Sequence, residues 1–514
     1  MATLMVPPQP QAREPEEARL PAAATLAGLP AVWPHSLLDT IAAALHTRPS
    51  VVVVLDDDPT GTQTVHGVAV LTTWEVADLA AEMARSDCFF VLTNSRSLVP
   101  AAATALAHQI GTNLRMASRQ CGRTLSVISR SDSTLRGHFP TEVDALVAGL
   151  EPPAGPVPLA TEEPAPPAGF APAGFAPVGF DAVVVAPWFL AGGRVTLHGV
   201  HYAHQGDELV PVGRTEFATD ASFGYRNSQL ARWIEEKTEG ATRAGEVTVI
   251  ELETLRVGGP QAVTQILLER PPGGYIVFDA VDERDVEVVV AGLLAAEAGG
   301  RRYLARSAAS FVRVRAAISA KALLAPADLL AAGPAPSTAS NGRLLVVGSH
   351  VARTTEQLQA VLALATVEAV ELRVDAARVD ALAEGNRCGD QVEAALVAGR
   401  DVVLYTERTR QVGADGAESL AISAQVSAAL VQAVGRLHTQ PRFLVAKGGI
   451  TASDIATKGL RLRRAEVLGQ IQPGVAVWAC GPESRFPGLR YVVFPGNVGQ
   501  ANSLAELLAP DSER

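Results

Sequence analysis

The run Val51-Val52-Val53-Val54-Leu55 constrains this chain more than any other stretch. Consecutive β-branched and aliphatic residues, with no polar alternation, leave no face suited to water. Such a segment reads as a strand covered on both sides, as in a parallel sheet flanked by helices. It closes on Asp56-Asp57-Asp58-Pro59-Thr60-Gly61, a turn-forming cluster. The pattern then recurs. Cys88 to Leu92 leads into Thr93-Asn94-Ser95-Arg96-Ser97 and an Ala-rich stretch of helical spacing over 101–119. Leu125 to Ile128 leads into Ser129-Arg130-Ser131-Asp132-Ser133, and Val183 to Val185 and Ile276 to Phe278 extend the series. Strand, polar loop and helix in alternation predict an α/β fold with mostly parallel sheets.

At 514 residues the chain exceeds one ordinary core, so two domains are expected, each with a mostly parallel sheet flanked by helices. Residues 1–35 are rich in Pro, Ala and Glu and read as a flexible extension; they lack the basic start and apolar core of a signal peptide. The first domain is expected over 36–324, with 151–180 as an exposed Pro/Ala/Gly-rich insertion. An Ala/Pro/Gly/Ser linker follows over 325–342. A second domain over 343–514 restarts the pattern with strands at Leu344 to Val347, Val402 to Tyr405, Phe443 to Val445 and Tyr491 to Phe494.

Four scattered cysteines without a CxxC pair, and no long apolar run, point to a reduced, cytoplasmic chain without a membrane span. The net charge of −11 argues against general nucleic-acid binding. Small molecules are the expected partners, with a homo-oligomer allowed.

Ligands of open parallel sheets bind beyond the carboxyl ends of the strands. Asp57, Asp58 and Thr60, then Asn94 and Arg96, then Asp132, Ser133 and Arg136 all fall there, forming a surface for hydroxyls and carboxylates. In the second domain the loops Gly348-Ser349-His350, Gly448-Gly449-Ile450-Thr451 and Gly496-Asn497-Val498-Gly499 follow strands, and glycine there lets backbone N–H groups approach phosphate oxygens. His198, His201 and His204 are spaced three apart but have no acidic or cysteine companion at a zinc spacing.

These residues resemble a known family. Asp57-Asp58-Pro59-Thr60-Gly61, Asp132-Ser133-Thr134-Leu135-Arg136-Gly137, Gly448-Gly449-Ile450-Thr451 and Gly496-Asn497-Val498-Gly499 are similar, in order, to signatures of the four-carbon acid sugar kinases. The resemblance runs from about residue 50 to 505. It implies an ATP- and Mg²⁺-dependent kinase acting on a hydroxyl of a sugar acid such as threonate or erythronate. It further implies catalytic roles among Asp57, Asp58 and Asp132, with Asp57 as the preferred base. Acid binding would fall to Thr60, Asn94, Arg96, Ser133 and Arg136. Nucleotide binding would fall to Ser349, Gly448, Gly449, Ile450, Thr451, Gly496 and Gly499. No metal ligand is assigned. This sequence departs from the pattern at Phe494, where many members have lysine, and at Ser129-Arg130, where a lysine pair is common.

Two other readings stand beside it. Asp56 and Asp58, after a strand and before Thr60, fit the opening of a haloacid-dehalogenase-like phosphatase, with Asp56 as nucleophile and Asp58 as acid/base. That reading needs a downstream lysine, and between residues 60 and 320 only Lys237 occurs. The other is a non-catalytic nucleotide- or metabolite-binding protein.

Overall fold

The computed structural model describes residues 17–151, 179–330, 341–408 and 416–509. Its main feature is one sheet of fifteen strands. In chain order these are β1 (Ser50–Asp56), β2 (Val68–Leu71), β3 (Cys88–Leu92), β4 (Thr124–Arg130), β5 (Ala182–Ala186), β6 (Thr248–Ile250), β7 (Tyr275–Phe278) and β8 (Tyr303–Ser307) in the first half. The second half contributes β9 (Leu344–Val347), β10 (Val367–Leu372), β11 (Asp401–Thr406), β12 (Leu444–Lys447), β13 (Arg464–Gln472), β14 (Val475–Cys480) and β15 (Arg490–Phe494).

The spatial order is β6-β7-β5-β8-β4-β1-β3-β2-β13-β14-β15-β12-β9-β11-β10. From β6 to β2 and from β15 to β10 in that order the pairing is parallel, and these strands read as apolar runs because helices such as Pro100–Cys121, Thr141–Leu150 and Ala381–Val397 cover them. The halves are joined by antiparallel pairs: β2 with β13, β13 with β14, and β14 with β15. An apolar core runs unbroken from Val52 and Phe90 to Leu344 and Tyr491. Two domains thus share one sheet and the core on one of its faces, while the other face carries two separate cores.

That junction decides where the strand ends point. The antiparallel pairs reverse the direction of the second parallel block. Six strand-to-strand steps separate β1 from β12. At roughly 20–25° of twist each, they rotate the strands by roughly 120–150°. Reversal and twist together leave the two blocks roughly 30–60° apart in direction, and the loops after β1 and β12 meet, with Asp58 against Gly449.

The expected extension over 1–35 differs from what the described residues show. From Glu17 the chain is tied down: its carboxylate accepts from the amides of Ser228 and Gln229 at 2.9 and 2.7 Å, and Leu20 pairs with Leu209 at the edge of a small antiparallel sheet. Composition had hidden this because only a few side chains carry the attachment. The expected linker over 325–342 begins packed as well. Leu329 is fully buried, and Leu324 donates its amide to Gln470 at 2.7 Å. The insertion expected over 151–180 lies, for 152–178, outside the described residues.

Candidate functional site

β4, β1 and β3 are neighbours, so the loops that follow them meet. Asp56, the last residue of β1, turns inward. Its carboxylate accepts from Arg130 Nη1 at 3.1 Å and lies beneath Gly61, where a Cβ would stand 2.0 Å from it. Burial pushes its pKa up to about 7 against the opposing charge of Arg130. A covered aspartate of this kind cannot serve as an exposed nucleophile, which overturns the phosphatase reading of Asp56.

Asp57 is buried too, and both its oxygens are taken. Arg96 donates Nη2 to Oδ1 at 2.7 Å and Nε to Oδ2 at 3.2 Å, and Ser131 Oγ donates to Oδ2 at 2.7 Å. This bidentate pair fixes Arg96 between three carboxylates, with Asp58 and Asp132 3.8 and 3.9 Å from its nitrogens. Asp58 is more open, its side chain 19% exposed against 3% for Asp57. It caps the turn Pro59–Thr64 by accepting the Thr60 amide at 2.8 Å. Burial pushes its pKa up, but Arg96 and the Thr60 hydrogen bonds outweigh that and hold it below its ordinary value. Asp132 is likewise held low: burial opposes ionisation, while Arg136, whose Nε donates at 2.8 Å, and Arg96 favour it.

The loop carrying Asp132 and Arg136 is fastened from outside. The carbonyl of Ser133 receives His201 Nε2 at 2.8 Å, and that of Thr134 receives the Tyr225 hydroxyl at 2.6 Å. Gly137 takes φ +128° with Ser131 Oγ 2.4 Å from where a Cβ would stand, a position only glycine fits. Burial lowers the His201 pKa to about 4, so it is a neutral strut. Among the described residues no histidine, cysteine or carboxylate cluster could hold a metal ion, and the 198–204 histidines form none. Asn94 does not reach the acids. It adopts φ 51° and donates to Ser97 Oγ at 3.1 Å, so it shapes the turn.

Sequence reasoning missed three arginines here. Arg194 lies with Arg136 over the Phe217 ring, at 5.9 and 5.0 Å, and its buried Nε has no partner. Arg306, at the end of β8, is fully buried and supports the loop through the Arg136 carbonyl at 3.2 Å. Arg130 holds Asp56. A cation at a strand end reads as solvated, and nothing in the local sequence shows that Arg130 lies against Asp56 or Arg306 over the Trp233 ring.

In the second half, the loops after β9, β12 and β15 interlock. A Cβ on Gly348 would stand 2.2 Å from Thr451 Oγ1, one on Gly496 2.7 Å from Ser349 Oγ, and one on Gly448 3.0 Å from Ser349 Cβ. Gly448 takes φ +117°. The short helix Gly449–Asp454 begins here, with Ile450 exposed. The amides of Ser349, Gly449, Ile450, Gly496, Asn497 and Gly499 donate to no backbone or side-chain acceptor among the described residues. Gly499 sits farther back, where Gln357 holds the loop through the carbonyls of Val498 and Gln500 at 3.0 and 2.8 Å. Arg408 was also missed; it reaches the Ser349 carbonyl at 2.8 Å.

The two clusters touch. A Cβ on Gly449 would stand 2.5 Å from Asp58 Oδ2, so the acidic turn abuts the start of the glycine-led helix. Trp478 of β14 donates to Thr62 Oγ1 of the same turn at 2.9 Å.

Residues 52–315 match the family of the sugar-binding N-terminal domain, and residues 344–504 that of the nucleotide-binding C-terminal domain. No curated protein matches the chain. Among solved structures, a Salmonella typhimurium LT2 protein with the provisional name of a tRNA synthase aligns with TM-score 0.61 and 17% identity, over 90% of this chain and 99% of that one. The Haemophilus influenzae protein HI1011, of family DUF1537, aligns with TM-score 0.56 and 15% identity, over 89% and 99%. At such identities the likeness is one of fold. The paired domain matches do more: the chain belongs to the four-carbon acid sugar kinase family.

Proposed function

We propose that this chain transfers the γ-phosphoryl group of ATP to a hydroxyl of a small, four-carbon sugar acid. The observation that carries the reading is the contact of Asp58 with Gly449, which sets an open carboxylate of the sugar-binding half against the free amides of the nucleotide-binding half. Phosphoryl transfer demands that juxtaposition.

The second half fits a polyphosphate. Its glycines leave a cradle that a Cβ would fill, and its unpaired amides offer donors without charge of their own. The phosphates would be held by Ser349, Gly448 to Thr451, Gly496 and Gly499. Magnesium would be held by phosphate oxygens and water with the Ser349 hydroxyl, since this ion needs few protein ligands. Magnesium-bound ATP supplies the electrophilic phosphorus and the neutralising charge.

The first half does the rest. Arg136, with Arg194 beside it, grips the acid's carboxylate, and Asp132 fixes Arg136 while sharing the substrate's hydroxyls. Arg96, locked by Asp57, screens the acids from one another. Asp58 accepts the hydroxyl proton as that oxygen forms its bond to phosphorus and the bond to the departing ADP breaks. This moves the role of base away from Asp57, whose oxygens are already satisfied. A weak base suffices, because the transition state of phosphoryl transfer is loose.

The test is ATP consumption across a panel of four-carbon sugar acids, with the phosphate located by NMR. Stoichiometric ADP and a phosphorylated acid are expected with at least one member. ATP turnover independent of every acid would overturn the reading.

A further inference from the structure

Lys447 ends β12 and is fully buried, yet among the described residues no carboxylate pairs with it. Its Nζ donates to the carbonyls of Pro495 and Val498, at 2.7 and 3.2 Å, and lies 3.9 Å from the centre of the Phe494 ring. Phe494 is its register partner on β15.

Both acceptors belong to the loop that follows β15. Gln357 also takes the Val498 carbonyl, at 3.0 Å, and Thr354 Oγ1 takes that of Gly496 at 2.8 Å. The loop's carbonyls are thus drawn into the protein. Its amides at Gly496, Asn497 and Gly499 are left without acceptors, the arrangement of an anion nest. A buried ammonium without a counter-ion is costly, and the nest beside it is where anionic charge would offset that cost.

We infer that Lys447 is a positioning residue of the nucleotide site, holding the 495–499 loop in its anion-receiving form, with the bound phosphates serving as its counter-charge. This inference rests on the nucleotide reading given above and deepens it. Lys447 need not touch ATP; it acts through two carbonyls.

The experiment is calorimetry of ATP, AMP and adenosine binding to the full chain, its K447M variant and its K447Q variant, with melting curves alongside. K447M keeps the length of the side chain and removes tether and charge; K447Q keeps a short donor and removes the charge. The expected result is at least tenfold weaker ATP binding by K447M, a smaller loss for AMP and none for adenosine, with K447Q between K447M and wild type. ATP affinity within twofold of wild type in a folded K447M would overturn the inference, as would an equal loss for adenosine. Should neither variant fold, hydrogen exchange on the wild-type chain decides. The amides of 496–499 must be protected by ATP and not by adenosine, and unchanged exchange would overturn the inference. Wild-type protein that binds no ATP would sink the nucleotide reading itself, a different outcome from wild-type binding that K447M shares.

Discussion

Gly449→Ala tests the contact on which the functional reading depends. The added methyl would stand 2.5 Å from Asp58 Oδ2, where ordinary contact begins at 3.4 Å, so the partners must separate by 0.9 Å. Asp58 cannot yield alone. Its other oxygen holds the Thr60 amide at 2.8 Å, and the turn behind it is pinned to Trp478 through Thr62. The acidic turn and the helix start must therefore move apart. Gly449 has no left-handed φ and opens its helix, so alanine fits its backbone. The melting temperature should hold within a few degrees. Displacement of reacting groups by about 1 Å is worth roughly 10²-fold in rate, or about 2.7 kcal/mol. The assay is initial-rate ADP release with the acid identified by the screen, together with separate affinities for ATP and acid. Gly245→Ala, which meets nothing within 4 Å, is the control. A folded Gly449→Ala enzyme with kcat/KM within threefold of wild type would refute the placement of phosphoryl transfer between Asp58 and this helix.

Asp58→Asn should lower kcat by roughly 10²–10⁴ with KM changed only a few-fold, whereas Asp57→Asn should act on folding, costing roughly 1.5–3 kcal/mol in urea melts by breaking the bidentate pair with Arg96, which keeps only the longer contacts with Asp58 and Asp132; the opposite split would return the base to Asp57. Arg136→Ala should raise KM for the acid, losing roughly 2–5 kcal/mol of binding, and leave ATP affinity alone; kcat/KM within threefold of wild type would remove it from the acid site. Glu142, buried and accepting from Ser95 Oγ at 2.7 Å, is pushed up to about 7 by burial and by the charge of Asp57. Between its ordinary 4.5 and 7 the folded chain keeps a proton that the unfolded chain releases, so stability falls as pH rises through that window and the loss is complete above about 7. Glu142→Gln should therefore match wild type near pH 5 and gain on it toward pH 8 by on the order of 3 kcal/mol; a difference that stays constant with pH would refute this.

What the sequence revealed, and what it hid, follow from the same physics. The apolar runs at 51–55, 88–92 and 344–347 could only be covered strands, and the acids and glycines after them had to lie at strand ends. The roles within the acidic turn were not legible, because neighbouring aspartates differ only in direction. Asp56 points into the fold, Asp57 into Arg96 and Asp58 toward the other half. The strand that joins the halves was missed although its signal was present: from Arg464 to Gln472, Ala465, Val467 and Ile471 are buried in strict alternation with more exposed residues. Period-two alternation reads as a half-covered strand, and nothing local said that its partner was β2. The pairing of Lys447 with Phe494 was likewise hidden, because a relation between positions 447 and 494 is visible only in the register.

The shared sheet also has a consequence for biosynthesis. β2 emerges from the ribosome long before β13, its neighbour on the open side. Arg463 and Asp78, which bond across this seam at 2.7 Å, are 385 residues apart. At roughly 5–20 residues per second the first half waits about 20–80 s with one edge of β2 unpaired. An uncovered strand edge is a template for any other strand, including the β13 of a second nascent chain. The segment 66–72 is therefore where a trapping chaperone or a strand-exchanged dimer would first engage this protein, and where a charged substitution on the open edge would most alter its yield.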